Sequence, residues 1–139
     1  PDAIPLKPGW FGAIAKEYVT CKSPFMGHLE PLCQPKHLAG VAVYPPDWRL
    51  RAPLLAGVLD APDSRVWGKG KGQAFDTYAA PDVYPQAKQA RTIQQVWKAP
   101  AMTISRLGLI DRDTVLFHQC KTGTLIRSLA QIRYPDFEL

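Results

Sequence analysis

Apolar residues along the chain fall into short blocks separated by prolines and glycines, and the spacing within each block predicts an element. Trp10, Phe11, Ile14, Ala15, Tyr18 and Val19 recur at three and four, the period of one helix face, so a short helix is expected over residues 10–20. Before it, Pro1, Pro5, Pro8 and Gly9 remove backbone donors and restrict φ, which predicts an extended arm over residues 1–9. Residues 21–37 contain Pro24, Gly27, Pro31 and Pro35, enough breakers to predict a loop. Residues 39–44 read as a buried strand stopped by the Pro45, Pro46, Asp47 turn.

The pattern from Trp48 to Leu59 fits two elements. Alternation at Trp48, Arg49, Leu50 and Arg51 suggests a strand, whereas Pro53 followed by Leu54, Leu55 and Val58 suits the first turn of a helix. Residues 64–73 carry Gly68, Gly70 and Gly72 between lysines and read as a hairpin or loop, with a strand expected over 74–79. The clearest helical pattern covers 85–98, with Pro85 in its first turn and Ala90, Ile93, Val96 and Trp97 on one side. Strands are expected at 101–107 and 114–118, around an Asp111, Arg112, Asp113 turn, and a closing helix at 122–132.

Interleaved helices and strands predict an α+β fold: a single small domain with a mixed sheet, two or three helices and proline-rich extended termini. Its expected organisation is an arm at 1–9, a globular domain at 10–133 and a tail at 134–139. The arm and tail read as extensions over a neighbouring surface, and 14 prolines in 139 residues leave many backbone groups in need of partners. That favours residence in a larger assembly with other protein subunits.

Composition supports folding: 46% hydrophobic and 21% charged residues is ordinary globular usage, far from the signature of disorder. No apolar run approaches the roughly eighteen residues needed to cross a bilayer, which predicts no membrane span. Three cysteines are too few and too odd for a disulfide framework and lean toward a reducing compartment, although a Cys21–Cys33 bridge stays open for an exported protein. The expected location is intracellular, with an organellar one if a targeting segment has been removed.

Charge changes the picture most. Residues 1–64 balance six Lys and Arg with six Asp and Glu, whereas residues 65–133 hold eleven against four, a net of +7. Such asymmetry marks contact with phosphate-rich or acidic partners through steering and counterion release; its plain alternative is a solvated basic face. Within this half, residues 64–73 (SRVWGKGKGQ) join Arg65, Lys69 and Lys71 to Trp67 and three glycines. The glycines allow close backbone approach to phosphate, and an exposed Trp can stack on a base. Lys88, Arg91 and Lys98, on the polar side of the expected 85–98 helix, extend this candidate nucleic-acid surface.

Two further groups carry candidate chemistry. Cys21, His28, Cys33 and His37 have the ligand types of a tetrahedral zinc site, and a metal would hold a loop poor in apolar residues, but no C-x2-C pair fixes the angle. His28, Leu29 and Glu30 match only the H-x-E half of a zinc deaminase signature. Residues 115–128 (VLFHQCKTGTLIRS) place a strand, a Cys-to-Arg loop and a helix in order. This segment resembles the active-site loop of cysteine-dependent phosphatases and, more loosely, of rhodaneses. The resemblance implies Cys120 as nucleophile and Arg127 as substrate clamp, with loop amides lowering the thiolate pKa. Here Gln119 separates His118 from Cys120, and six residues separate Cys120 from Arg127, so a strand end, a turn at Gly123 and a core helix with a solvated Arg describe the segment better.

The leading expectation is a non-enzymatic binding or accessory subunit of a larger assembly, contacting RNA or another polyanion through a basic surface. The alternatives are a small cysteine-dependent enzyme using Cys120 and Arg127, a zinc-binding domain, and a protein-interaction module with Trp10, Trp48 and Tyr134 as aromatic anchors.

Overall fold

The structure, a computed structural model, describes residues 3–60, 74–95 and 104–118 together with Leu125, Ser128 and Leu129. It is an α+β protein, and its described residues form two small three-stranded mixed sheets. Contacts group the chain into two compact units, residues 17–90 and residues 1–16 with 91–139, each described by itself below.

In the first unit the sheet order is β3-β2-β4, with β2 (Phe25–Glu30) central, antiparallel to β3 (His37–Val43) and parallel to β4 (Ala87–Gln89). Phe25 and Met26 are neighbours on β2 and both have no exposed surface. Since successive side chains on a strand point to opposite faces, this strand is covered on both sides. Gly27 faces Ala42 across the ladder, and a Cβ placed on it would lie 2.7 Å from the Ala42 Cβ, so the close strand approach requires glycine here. The register shifts just after it, between Gly27 and Leu29.

Helices α2 (Trp48–Arg51), α3 (Pro53–Asp60), α4 (Phe75–Tyr78) and α5 (Ala80–Val83) belong to the same unit. Ala52, Leu55, Ala79 and Val83 join Phe25 and Leu38 in its core, with Leu29, Ala42, Tyr44, Trp48, Phe75 and Ala87 packed around them. Pro53 does open a helix, as its missing N–H and fixed φ favour. Asp82 supports that helix from α5: its Oδ2 accepts the Leu54 N–H at 2.7 Å, one of the donors that a helix start leaves without an internal partner.

The second unit holds the sheet β1-β6-β5, in which β6 (Leu116–His118) is central, antiparallel to β1 (Ala3–Pro5) and parallel to β5 (Ile93–Gln95). Phe117 and Leu125 are fully buried among Ile4, Leu6, Leu107, Ile110 and Leu129. Gln94 ties the surrounding loops together: its Nε2 donates to the Leu109 carbonyl at 2.9 Å, while its Oε1 accepts from the Asp111 N–H and the Thr114 hydroxyl. Helix α1 (Trp10–Cys21) begins in this unit. Gly9, at φ 70°, makes the turn into it, and Lys22 ends it at φ 56°, followed by Pro24.

Four expectations are corrected. Residues 21–37 are not a loop, because β2 and β3 form a hairpin across most of that stretch, held by ladder bonds and by burial of Phe25, Met26 and Leu38. The 85–98 helix does not form: Tyr84–Gln86 is a single 3₁₀ turn, followed by β4 and β5. Its apolar residues Ala90 and Ile93 are buried, but Gln94, on the expected polar face, bonds to another segment, its Nε2 donating to the Leu109 carbonyl at 2.9 Å. Phe75–Tyr78 is a helical turn rather than a strand, with Thr77 bonding back to the Ala74 carbonyl through both its N–H and its hydroxyl. Ile104–Leu109 is 3₁₀ where a strand is expected. Within the expected arm, Ala3–Pro5 is extended and pairs with β6 of the chain's own sheet. Residues 61–73, the 96–98 end of the expected helix, most of 122–132 and the 134–139 tail lie outside the described residues.

Candidate functional site

Of the candidate nucleic-acid surface, Lys88 and Arg91 are described and both are exposed. Lys88 stands on β4, an edge strand, and forms no ion pair among the described residues. Arg65, Trp67, Lys69, Lys71 and Lys98 lie outside the described residues, as do Cys120 and Arg127. The two arginine–carboxylate pairs, Arg49 with Asp60 and Arg51 with Asp47, are internal to the N-terminal half. Arg51 grips both Asp47 oxygens through Nε at 2.9 Å, and that hydrogen bonding holds the Asp47 carboxyl below the usual carboxylate range. These four charges cancel within their own segment and leave the basic excess of the later half unopposed by them.

The four Cys and His residues of the zinc candidate part into two places. Cys21 closes α1 with its Sγ 3.6 Å from the Ser23 carbonyl oxygen. On the hairpin, Glu30 is the common neighbour: His28 Nε2 lies 3.8 Å from one of its oxygens and Cys33 Sγ 4.0 Å from the other. His37 is the cross-strand partner of Glu30, and its Nδ1 is 2.9 Å from the Pro35 carbonyl oxygen. Cys21 and Cys33 are free thiols. Among the described residues no three His, Cys, Asp or Glu side chains are grouped so as to hold a metal. Because the segment is a packed hairpin, its shape does not call for one. No helix among the described residues is long and apolar enough to cross a membrane.

One feature of the 17–90 unit is absent from the sequence reading. Gly40 and Tyr44 from the β3 end, Trp48 from α2, Leu55 and Leu59 from α3 and Phe75 from α4 surround a cavity of about 320 Å³. Its shape depends on Gly40, since a Cβ there would meet the Phe75 ring at 2.9 Å. Tyr44 packs edge-on against the buried Phe25, with ring centres 5.8 Å apart. Arg49 lies over the Trp48 ring at 4.8 Å from its centre while pairing with Asp60. Sequence reading singled out Trp48 as an aromatic anchor but joined nothing to it, because the six residues span four elements that only the fold brings together.

Burial, and after it the nearby Asp76 carboxylate, push the Tyr44 hydroxyl up to about 12 from an ordinary value of 10.0. The folded state therefore favours the neutral phenol. Its contribution is fully present below pH 10 and is lost as pH rises through about 12, an effect on the order of 3 kcal/mol by linkage. Denaturation at a series of alkaline pH values is expected to show this loss in the native chain and not in Tyr44→Phe. Equal losses in the two proteins would contradict the assignment.

Comparison with protein-family models, curated proteins and solved structures finds no match to this chain.

Proposed function

We propose that this chain is a non-enzymatic binding subunit that contacts RNA or another polyanion through the cations of its later half. The supporting observation is the net of +7 over residues 65–133, set against a first half whose Arg49 and Arg51 are balanced by their own Asp60 and Asp47. Exposed Lys88 and Arg91 are consistent with that surface. A cation paired with a carboxylate has little to gain from a phosphate, whereas an unpaired one releases condensed counterions when it binds. On this reading other subunits of an assembly hold the polyanion together with this chain.

Two triple substitutions with the same change in net charge test the proposal. K69Q/K71Q/K88Q is expected to weaken binding to a mixed single-stranded RNA by about tenfold or more, while K16Q/K22Q/K36Q costs no more than about twofold. Equal losses would reduce the effect to overall charge and remove the case for a surface in the later half.

A further inference from the structure

We propose that the cavity bounded by Gly40, Tyr44, Trp48, Leu55, Leu59 and Phe75 binds a small organic cation, a quaternary or tertiary ammonium with apolar substituents. Polyanion contact leaves this cavity without a role, and two features of its construction point to a cationic guest.

The first is the wall. Three of the six lining residues are aromatic, each from a different element, and the other side chains are two leucines. Aromatic faces carry the negative part of the ring quadrupole and attract cations, most strongly when water is excluded. Ammonium groups ringed by methyls suit such a wall because they shed water easily and present apolar surface to the leucines. Trp48 already holds one cation this way, since the Arg49 guanidinium lies over its ring. At about 320 Å³ the volume falls at the lower end of small-molecule sites.

The second is the charge at the edge. The Asp76 carboxylate borders two of the lining residues: its Oδ2 is 3.5 Å from the position of a Cβ on Gly40, and its charge acts on the Tyr44 hydroxyl. Oδ1 accepts the Thr77 N–H at 2.9 Å, but Asp76 forms no ion pair among the described residues. The neighbouring arginines cannot serve it, because Arg49 is engaged by Asp60 and Arg51 by Asp47. Beside the cavity, then, stands a carboxylate with no ion pair among the described residues, while Arg49 and Arg51 are already balanced. An apolar guest leaves that charge without a counterpart, and an anionic guest meets repulsion. A cation satisfies both the rings and Asp76.

Choline and its uncharged carbon isostere 3,3-dimethylbutan-1-ol, titrated into the whole chain and followed by amide and indole NMR shifts, separate charge recognition from apolar filling. Choline is expected to shift the Gly40 and Tyr44 amides and the Trp48 indole, with the isostere binding about tenfold more weakly or worse. Asp76→Asn is expected to bring choline down to the level of the isostere. If that variant fails to fold, the comparison of the two ligands on the native chain still decides. Equal binding of the two compounds, or choline shifts elsewhere than on these residues, would overturn the proposal. So would a trimethyl-lysine peptide binding more than about tenfold tighter than choline, which would assign the cage to a protein tail.

Discussion

Phe25→Ala is expected to cost about 3–5 kcal/mol, enough to consume much of the stability of a domain this size. Phe25 has no exposed surface and belongs to the central strand of its sheet. It packs among Leu38, Ala52, Leu55, Ala79 and Val83, and its ring meets Tyr44 edge-on. Truncation removes the transfer energy of the ring and leaves a void whose walls come from β3, α3, α5 and the residues that join the helices, so they cannot easily collapse. Phe25→Leu, which keeps most of the volume, is expected to lose clearly less. Urea denaturation measures both. A loss below about 1 kcal/mol for the alanine variant would mean that this core is not packed as described.

The second large effect is on RNA affinity as salt is varied. Each phosphate neutralised on a single strand contributes about −0.7 to the log–log slope. If the six cations Arg65, Lys69, Lys71, Lys88, Arg91 and Lys98 each meet one phosphate, the slope is about −4, and affinity falls roughly 300-fold between 50 and 200 mM salt. K69Q/K71Q/K88Q is then expected to make the slope shallower by about 2. A native slope shallower than about −1 would leave the charge asymmetry as a solvated face with no polyanion to bind.

How far the sequence was legible depended on where each residue's partners lie. Helix α1 and strand β3 followed from local pattern alone: Ile14 is the buried residue of the one, and the other is a short apolar run whose neighbours Leu38 and Ala39 are both buried, as in a strand covered on both faces. Pro53 marked the start of α3 for the same local reason. Glutamine was the misleading residue. Gln94 and Gln95 look like the polar side of a helix, yet Gln95 is buried and Gln94 bonds three separate backbone or side-chain groups across the chain. Proline misled in the other direction: Pro24, Pro31 and Pro35 frame a hairpin instead of dissolving it, because each stands outside the β2 and β3 ladders.

For the candidate sites the lesson is similar. His28 and Cys33 each lie beside Glu30, whereas His37 is its cross-strand partner and turns its Nδ1 to the Pro35 carbonyl, so the spacing of ligand types along the chain did not foretell a grouped set. The aromatic cavity was hidden because Gly40, Tyr44, Trp48, Leu55 and Phe75 share no periodicity; turns and helix packing alone bring them together.

Lysine acetylation footprinting of the chain with and without bound RNA, read by mass spectrometry, tests most directly whether the later half carries the polyanion surface. Lys69, Lys71, Lys88 and Lys98 are expected to be protected in the complex, while Lys16, Lys22 and Lys36 keep the reactivity they have in the free chain. Protection confined to the first three dozen residues, or spread evenly along the chain, would contradict it.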